Sequence, residues 1–508
     1  MQLFLPAVVA AAVLATATAI DNGLGVSPPM GWRSWNAYHH AVNQSIMERS
    51  IDAMVARTRN VSGVPTSLLD LGYNNCGLDD NWQACGTGVG GSFHDDKGVP
   101  LINTDTFPSM RNMTDYGHQR GMRVGWYHNN CICAEHNFPS DLIDAHYAGD
   151  VTAIAGYGYD GVKLDGCGEF MNLTYWADLL NATGRPILIE NCHWGDTLPT
   201  VDWCPFNFYR TSGDIQANWA SMMSNLHTTI KFQDWKQPLS RPGCWAYPDM
   251  LEVGNLASFE EDRTHFGAWA IVSSPLILGF DLQDQAKFDR VWPIISNKEA
   301  IAVNQQWAGH PGMLVTTLSP EGSKLYPWAE ECGSDSSQKG WTYDPASMTV
   351  EYAGYCLDGS SSSQLALTAC TNSAEQAFDY HAGAELKFGD SCVDNYDFSG
   401  PVVQIYGCNN GKNQLFTISD GYVKDAENLC WSVKNSSPAG SNVEVWAKPQ
   451  PNNAMAVLFI NDMASTASNI TLDLSLLNIT ADVHVRAGQA DRSDDILMPP
   501  SQIINCVL

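Results

Sequence analysis

The sequence predicts an α/β protein in which a (β/α)8 barrel precedes an all-β half, and three observations lead there. Between about Val26 and Leu282, strand-like runs alternate with helix-like ones. Eight strands in roughly 250 residues is the count and size of such a barrel. Polar and aromatic residues cluster just after most of these strands, where a barrel of this kind carries its site. After about His310 helical periodicity fades, and short β runs rich in Ser, Gly and Asn take over. A doubly wound open sheet alternates similarly, but it should offer a glycine-rich phosphate turn after an early strand, and the sequence has none.

The expected strands are Met30–Trp35, Tyr73–Leu78, Arg123–Tyr127, Gly161–Leu164, Pro186–Ile189, Phe206–Tyr209, Trp245–Pro248 and Pro275–Gly279. The fourth is the most informative. It reads Gly161-Val162-Lys163-Leu164-Asp165-Gly166-Cys167, with apolar and charged residues alternating. Alternate side chains of a strand face opposite ways, so Lys163 and Asp165 share a face. The lysine favours the ionised carboxylate, and the following glycine opens room for a ligand. A carboxylate nucleophile would be mounted this way; a buried ion pair that ends a strand is the competing reading.

Three other strand ends carry chemistry. Gly31-Trp32-Arg33-Ser34-Trp35-Asn36 holds paired tryptophans, either core or a face on which a sugar ring stacks. Leu78-Asp79-Asp80-Asn81-Trp82 holds adjacent aspartates, which repel unless bonded. They suit ligand hydroxyls or a calcium ion, although the further oxygen ligands of a calcium loop are not evident nearby. Tyr209-Arg210-Thr211-Ser212-Gly213-Asp214 supplies a second carboxylate on a different strand end. Glycoside hydrolysis needs such a pair, one group attacking the anomeric carbon and the other protonating the leaving oxygen. A helix N-cap is the competing role for Asp214.

With 508 residues the chain exceeds one ordinary core, and two or three domains are expected. Its net charge of −28 argues against nucleic acid, whose phosphates need a basic surface, and against an anionic membrane. Residues 1–19 form an apolar run ending in small-x-small sites and read as a signal peptide, though without a basic n-region. No later stretch is long and apolar enough to span a membrane. Sequons begin at Asn43, Asn60, Asn112, Asn172, Asn181, Asn435, Asn469 and Asn478, which implies glycans on a secreted, extracellular protein. Fifteen cysteines suit the same oxidising compartment. Close spacings suggest the bridges Cys76–Cys85, Cys192–Cys204, Cys356–Cys370 and Cys392–Cys408, and the odd count leaves at least one thiol over. Cys131-x-Cys133 is too tight for a zinc knuckle.

The ordered segments Pro29-Met30-Gly31-Trp32, Asp79-Asp80, Gly125-x-Tyr127, Lys163-x-Asp165-x-Cys167, Cys192-x-Trp194, Arg210-Thr211-x-Gly213-Asp214, Pro248-Asp249-Met250-Leu251 and Val303-Asn304-Gln305 span about 280 residues. Together they resemble glycoside hydrolase family 27, the α-galactosidases and α-N-acetylgalactosaminidases. The resemblance implies Asp165 as nucleophile and Asp214 as acid/base, in a double displacement that retains the α configuration. The two carboxyl groups should then stand ~5–5.5 Å apart. Trp35 would wall the sugar, Asp79 and Asp80 would accept from the axial O4 and from O6, and Lys163 would hold O3 and O4. Arg210 with Asp249 would face O2, Tyr127 would line the pocket, and Cys192 and Trp194 would complete the substrate-binding set. Cys167 would bridge to Cys131 or Cys133, and no metal or cofactor is called for. Two departures stand out. The triplet Cys192-His193-Trp194 replaces a common Cys-Glu-Trp, so His193 occupies the position that discriminates a 2-hydroxyl from a 2-acetamido group. Asn81 replaces a usual cysteine, so Cys76–Cys85 would take over the local bridging.

The all-β half repeats. Tyr355-Cys356-Leu357-Asp358 recurs as Ser391-Cys392-Val393-Asp394 and as Leu429-Cys430-Trp431-Ser432, the first cysteines 36 and then 38 residues apart. The first two units continue to a second cysteine and to Gln376-x-Phe378 and Gln414-x-Phe416. These units are similar to ricin B-type lectin modules. The middle one carries the lectin-site candidates Asp394, Gln404, Tyr406 and Asn413. The first has Thr368 at the aromatic position, and the third lacks the second cysteine and is expected to be degenerate.

The full expectation is a TIM barrel over 20–310, a C-terminal antiparallel β-domain over 311–331 and 441–508, and an inserted β-trefoil-like lectin module over 332–440. The resemblance implies a secreted α-galactosidase acting on galacto-oligosaccharides and galactomannans, closest to fungal members with an inserted lectin, with polysaccharide binding through that module. The alternatives are an α-N-acetylgalactosaminidase and a non-catalytic α-galactoside-binding lectin.

Overall fold

The computed structural model describes residues 20, 22–136, 140–318, 325–333, 336–371, 373–381, 384–396, 401–434 and 443–461, with the backbone of 469–473, 483–485, 496–498 and 503–507. The expected signal peptide and the sequons at Asn435 and Asn478 lie outside the described residues. The chain divides into two units, 1–313 with 448–456 and 314–447 with 457–508.

The first unit is the expected barrel. Its strands are β1 (Met30–Arg33), β2 (Asn75–Gly77), β3 (Arg123–His128), β4 (Gly161–Asp165), β5 (Leu188–Cys192), β6 (Phe208–Arg210), β7 (Trp245–Tyr247) and β8 (Leu276–Leu278). All are parallel, in the order β8-β1-β2-β3-β4-β5-β6-β7. β7 does not reach β8 directly. The chain first passes Pro248 and Asp249, and Leu251 then closes the ring, its N–H donating to Ile277 O at 2.8 Å. An open doubly wound sheet is thereby ruled out.

Local sequence explains the alternation. Helices Gln44–Val55, Met110–His118, Leu173–Ala182, Trp219–His227, Phe259–Ile271 and Gln285–Ile295 each start after an Asn, Ser or Asp. That cap residue's side-chain oxygen accepts a backbone N–H of the first turn, which would otherwise lack a partner. Strands covered on both faces are buried along their length, and β1, β5, β6, β7 and β8 have no exposed residue. Charges nevertheless enter the barrel. Lys163 on β4 lies level with Glu190 on β5, and Arg33 on β1 pairs with Glu190.

Two expected bridges are corrected. Cys85 bonds Cys133, Cys204 bonds Cys244, and Cys76 and Cys192 are buried free thiols. Both thiols sit on barrel strands, Cys76 on β2 and Cys192 at the end of β5, whose pleat turns them into packed interior. A short spacing along the chain does not overcome that orientation. Cys167 bonds Cys131, and Cys356–Cys370 and Cys392–Cys408 form as spaced.

Among the described residues, the second unit contains twelve short strands between Tyr326 and Lys434, four for each of three repeats. The residue after each first cysteine, Leu357, Val393 and Trp431, is fully buried in one shared core. The third repeat is not degenerate. Cys430 bonds Cys332, and strand Leu429–Lys434 pairs with Tyr326–Glu331 as the first two repeats pair within themselves. Gln338 accepts from Gly333 N at 2.6 Å and donates to Glu331 O at 2.9 Å. Gln376 does the same with Thr371 and Ala369, and Gln414 with Asn409 and Gly407. The missing half of the third repeat therefore precedes the first, in a β-trefoil entered part-way through a repeat. Around it, strand Met313–Leu318 pairs with Val443–Gln450, which pairs with Ala454–Asn461.

Candidate active site

At the C-terminal ends of the barrel strands lies a cavity of about 850 Å³. It gathers Trp35, Asp79, Asp80, Tyr127, Lys163, Asp165, Trp194, Arg210, Asp214 and Asp249. Strand pleating explains β4's part, because Lys163 and Asp165 project to one side and stand 3.8 Å apart.

Asp165 is buried, and burial pushes its carboxyl above the usual range while Lys163 and the Tyr127 hydroxyl pull against that. Tyr127 O–H donates to one oxygen at 2.7 Å, and Gly166 N–H to the other at 2.8 Å. A side chain at Gly166 would strike the Trp194 ring at 2.6 Å, so the glycine lets that indole reach the cavity.

Lys163 Nζ donates to Asp79 at 2.9 Å. Burial would raise the Asp79 carboxyl, but Lys163 and Arg33 outweigh it and hold the group below its ordinary value. Among the described residues Asp80 is bonded by N–H donors alone: Gln83 at 2.6 Å, Asn81 N at 2.8 Å, Ile132 N at 2.9 Å, Cys131 N at 3.0 Å and Asn130 at 3.3 Å. A cation beside Asp79 and this donor set around Asp80 suit a neutral hydroxylated ligand, and a calcium ion would meet the Lys163 ammonium.

On the far wall Arg210 binds Asp214 at 2.9 Å and Asp249 at 3.0 Å. The Asp214 side chain is 60% exposed, so it faces the cavity mouth, whereas Asp249 is buried. Asp214 caps no helix; the next one begins at Trp219 under Asn218. The paired tryptophans divide: Trp32 is core, and Trp35 lines the cavity.

Two expectations fail here. Cys192 does not line the cavity; it is buried, and its sulfur accepts from Arg210 at 3.3 Å. His193 is buried too, its Nδ1 2.8 Å from the Thr197 hydroxyl and its pKa pushed down to about 4 by burial, so it presents no charge to the cavity. Trp194, at φ 48°, turns the chain so that the indole faces the cavity instead. Residues not anticipated are Asn36, His39, His40, Gln216, Glu252 and Asn255. Glu252 follows the Pro248–Leu251 run directly, and Asn36 and Asn255 donate to its carboxylate. Their position just past strand ends was the available signal.

In the trefoil, Asp394 is buried and accepts from Asn413 and Gln414, each at 2.9 Å, and from Gln404 at 3.2 Å. Tyr406 is 59% exposed beside them.

Residues 27–306 match the family described as alpha galactosidase A, 345–455 the ricin-type beta-trefoil lectin domain, and 440–487 the alpha galactosidase C-terminal beta sandwich domain. An α-galactosidase from Cyamopsis tetragonoloba is 36% identical over 310 residues, 59% of this chain and 69% of the relative. Alpha-galactosidase 2 from Arabidopsis thaliana is 34% identical, over 58% of this chain and 71% of its own. An alpha-N-acetylgalactosaminidase from Rattus norvegicus is 31% identical, over 60% and 74%. The solved α-galactosidase from Saccharomyces cerevisiae superposes with a TM-score of 0.55 at 18% identity, covering 91% of this chain and 79% of that one, a likeness of fold. The chain belongs to the α-galactosidase family, glycoside hydrolase family 27, and carries a ricin B-type lectin domain.

Proposed function

We propose that this glycoside hydrolase is a secreted, retaining α-galactosidase that releases terminal α-D-galactose from galacto-oligosaccharides and galactomannans. The observation that carries the reading is one cavity with two carboxylates of contrasting setting. Asp165 is buried under two hydrogen-bond donors and a lysine 3.8 Å away, and Asp214 is open to solvent on Arg210. Asp165 attacks the anomeric carbon. Asp214 gives a proton to the leaving oxygen and later takes one from water, across the ~5–5.5 Å gap a retaining pair needs. Lys163 and the Tyr127 hydroxyl hold the attacking oxygen in place, and after attack that oxygen has lost its charge to an ester. Asp79, Asp80 and Lys163 receive the hydroxyls remote from the reacting bond, Arg210 and Asp249 those nearer it, and Trp35 gives the ring an apolar face. No step needs a metal or cofactor.

Two further parts of the reading concern the rest of the chain. The trefoil is an insertion, supported by the pairing of Met313–Leu318 with Val443–Gln450 on either side of it. Its middle repeat binds sugar through Asp394, Asn413 and Tyr406.

Initial rates on an aryl α-galactoside and an aryl α-N-acetylgalactosaminide, with Asp165→Asn as control, test the catalytic reading. Release from the first alone, lost in the variant and giving α-galactose as first product by NMR, is expected. Preference for the second substrate would favour the alternative reading, and β-galactose as first product would exclude retention.

A further inference from the structure

Behind the cavity, outside every residue assigned above, five titratable side chains are packed together: His94, His128, Glu135, His146 and Asp150. All are at most 5% exposed. His94 Nδ1 lies 3.0 Å from Glu135 Oε1, and its Nε2 lies 3.0 Å from Asp150 Oδ1. Ionised carboxylates only accept, so both ring nitrogens must donate and His94 is an imidazolium between two anions. Burial works against that charge, but Asp150 and Glu135 outweigh it and raise His94 to about 9. His128 Nδ1 stands 3.3 Å from Asp150, His146 Nδ1 stands 3.4 Å from Glu135, and Asp95 is the next residue along the loop.

A metal is the obvious rival, since His94, Glu135 and His146 bring three ligand atoms within 4.8 Å. The ring geometry is against it. His94 and His146 are stacked, centroids 4.0 Å apart and planes 15° apart. Imidazole lone pairs lie in the ring plane, so those of stacked rings run side by side instead of converging on one ion. Two stacked imidazoles beside one carboxylate fit that geometry, with His94 Nδ1 bonded to Glu135 and His146 Nδ1 3.4 Å from it.

The cluster ties together the pieces that shape the sugar pocket. Glu135 also accepts from Phe93 N at 2.9 Å, and it ends the segment whose Cys131 and Ile132 amides orient Asp80. Cys85–Cys133 and Cys131–Cys167 anchor that segment to the β2 loop and to the end of β4. We propose that the Glu135–His94–Asp150 ion triad is a positioning lock, holding residues 130–135 against Asp80 and so setting affinity for the sugar. The proposal rests on Asp80 as a sugar acceptor.

Kinetics of the full chain on an aryl α-galactoside from about pH 5 to 10 test it. Asp80 is remote from the reacting bond, so loosening it removes binding shared by ground and transition states and raises KM. Glu135→Gln and Asp150→Asn are expected to raise KM about ten-fold, with kcat within about three-fold of wild type. Wild-type KM should climb as pH passes about 9, and Asp150→Asn should bring the climb to lower pH. Unchanged KM and an unmoved alkaline limb in both variants would overturn the lock. Histidine ¹⁵N NMR of the wild-type protein near neutral pH covers the case in which a variant fails to fold. Protons on both His94 ring nitrogens support the triad; a neutral ring, or one equivalent of tightly bound zinc, refutes it. Asp80→Asn separates the premise: wild-type KM there would sink the acceptor reading, whatever the His94 ring state.

Discussion

Two buried aspartates, Asp165 in the barrel and Asp394 in the trefoil, solve the same desolvation problem differently. Asp165 has a lysine at 3.8 Å and a phenol at 2.7 Å, and it lines a cavity of about 850 Å³. Asp394 receives three neutral amide side chains, Gln404, Asn413 and Gln414, beside an exposed tyrosine. On the proposed reading Asp165 is a carboxylate that changes charge during the reaction, and the Lys163 cation beside it, itself held by Asp79, offsets its charged form. One that only orients a hydroxyl is served by fixed dipoles, which cost less to bury than an ion. The barrel therefore concentrates charge, with Arg33, Lys163 and Arg210 each against carboxylates, whereas the trefoil core is held by repeated Gln-to-backbone bonds.

The contrast can be broken at several points. Asp165→Asn should cut kcat on an aryl α-galactoside by about 10⁴-fold or more, roughly 5 kcal/mol of barrel function. The matching Asp394→Asn should leave that rate within about two-fold, because Asp394 does not line the cavity; the NH2 it gains cannot accept from the surrounding amides, so the loss falls on the trefoil. Next in size is the bridge that closes the split repeat. Replacing Cys332 and Cys430 by serine should cost the trefoil about 4–5 kcal/mol, against about 3 kcal/mol for Cys356 and Cys370, because loops of 98 and 14 residues are released. Separate unfolding transitions in calorimetry would read both.

A smaller effect belongs to pH. His94 has a folded value of about 9, above the ordinary 6.5, so its contribution is full below about 6.5 and is lost as pH rises through 9. That is about 3 kcal/mol of barrel stability, and Asp150→Asn should flatten the fall in Tm over this window. The least effect is expected at Tyr406. Its replacement by alanine should weaken galactose binding by the trefoil about five-fold, roughly 1 kcal/mol of stacking, measured by calorimetry with free galactose. Unchanged binding would move the sugar site elsewhere in the module.

Much of this was legible along the chain. A period of two put Lys163 and Asp165 on one face, eight alternations announced the barrel, and the cysteine repeat announced the trefoil. Cys192 and His193 were misplaced because a motif gives neighbours in sequence, while the turn at Trp194 decides which of them looks into the cavity. Glu252 and Asn255 were missed because lone polar residues after a strand look like any loop. The third repeat looked truncated because its other half, Cys332 and Gln338, lies upstream, and reading forward from Cys430 never meets it.

The sequence alone determined what depends on local rules: strand count, the shared face of Lys163 and Asp165, and the repeat period. Those follow from backbone geometry over a few residues. Only the tertiary structure decided which thiols pair, which side chains reach the cavity, and that five titratable groups from the β2 loop, β3, the segment after it and helix Ser140–Tyr157 meet behind Asp80. Within that cluster such encounters join residues as far apart as 56 positions. They exist because barrel closure brings neighbouring strand ends within a few ångströms, and no local pattern encodes that distance.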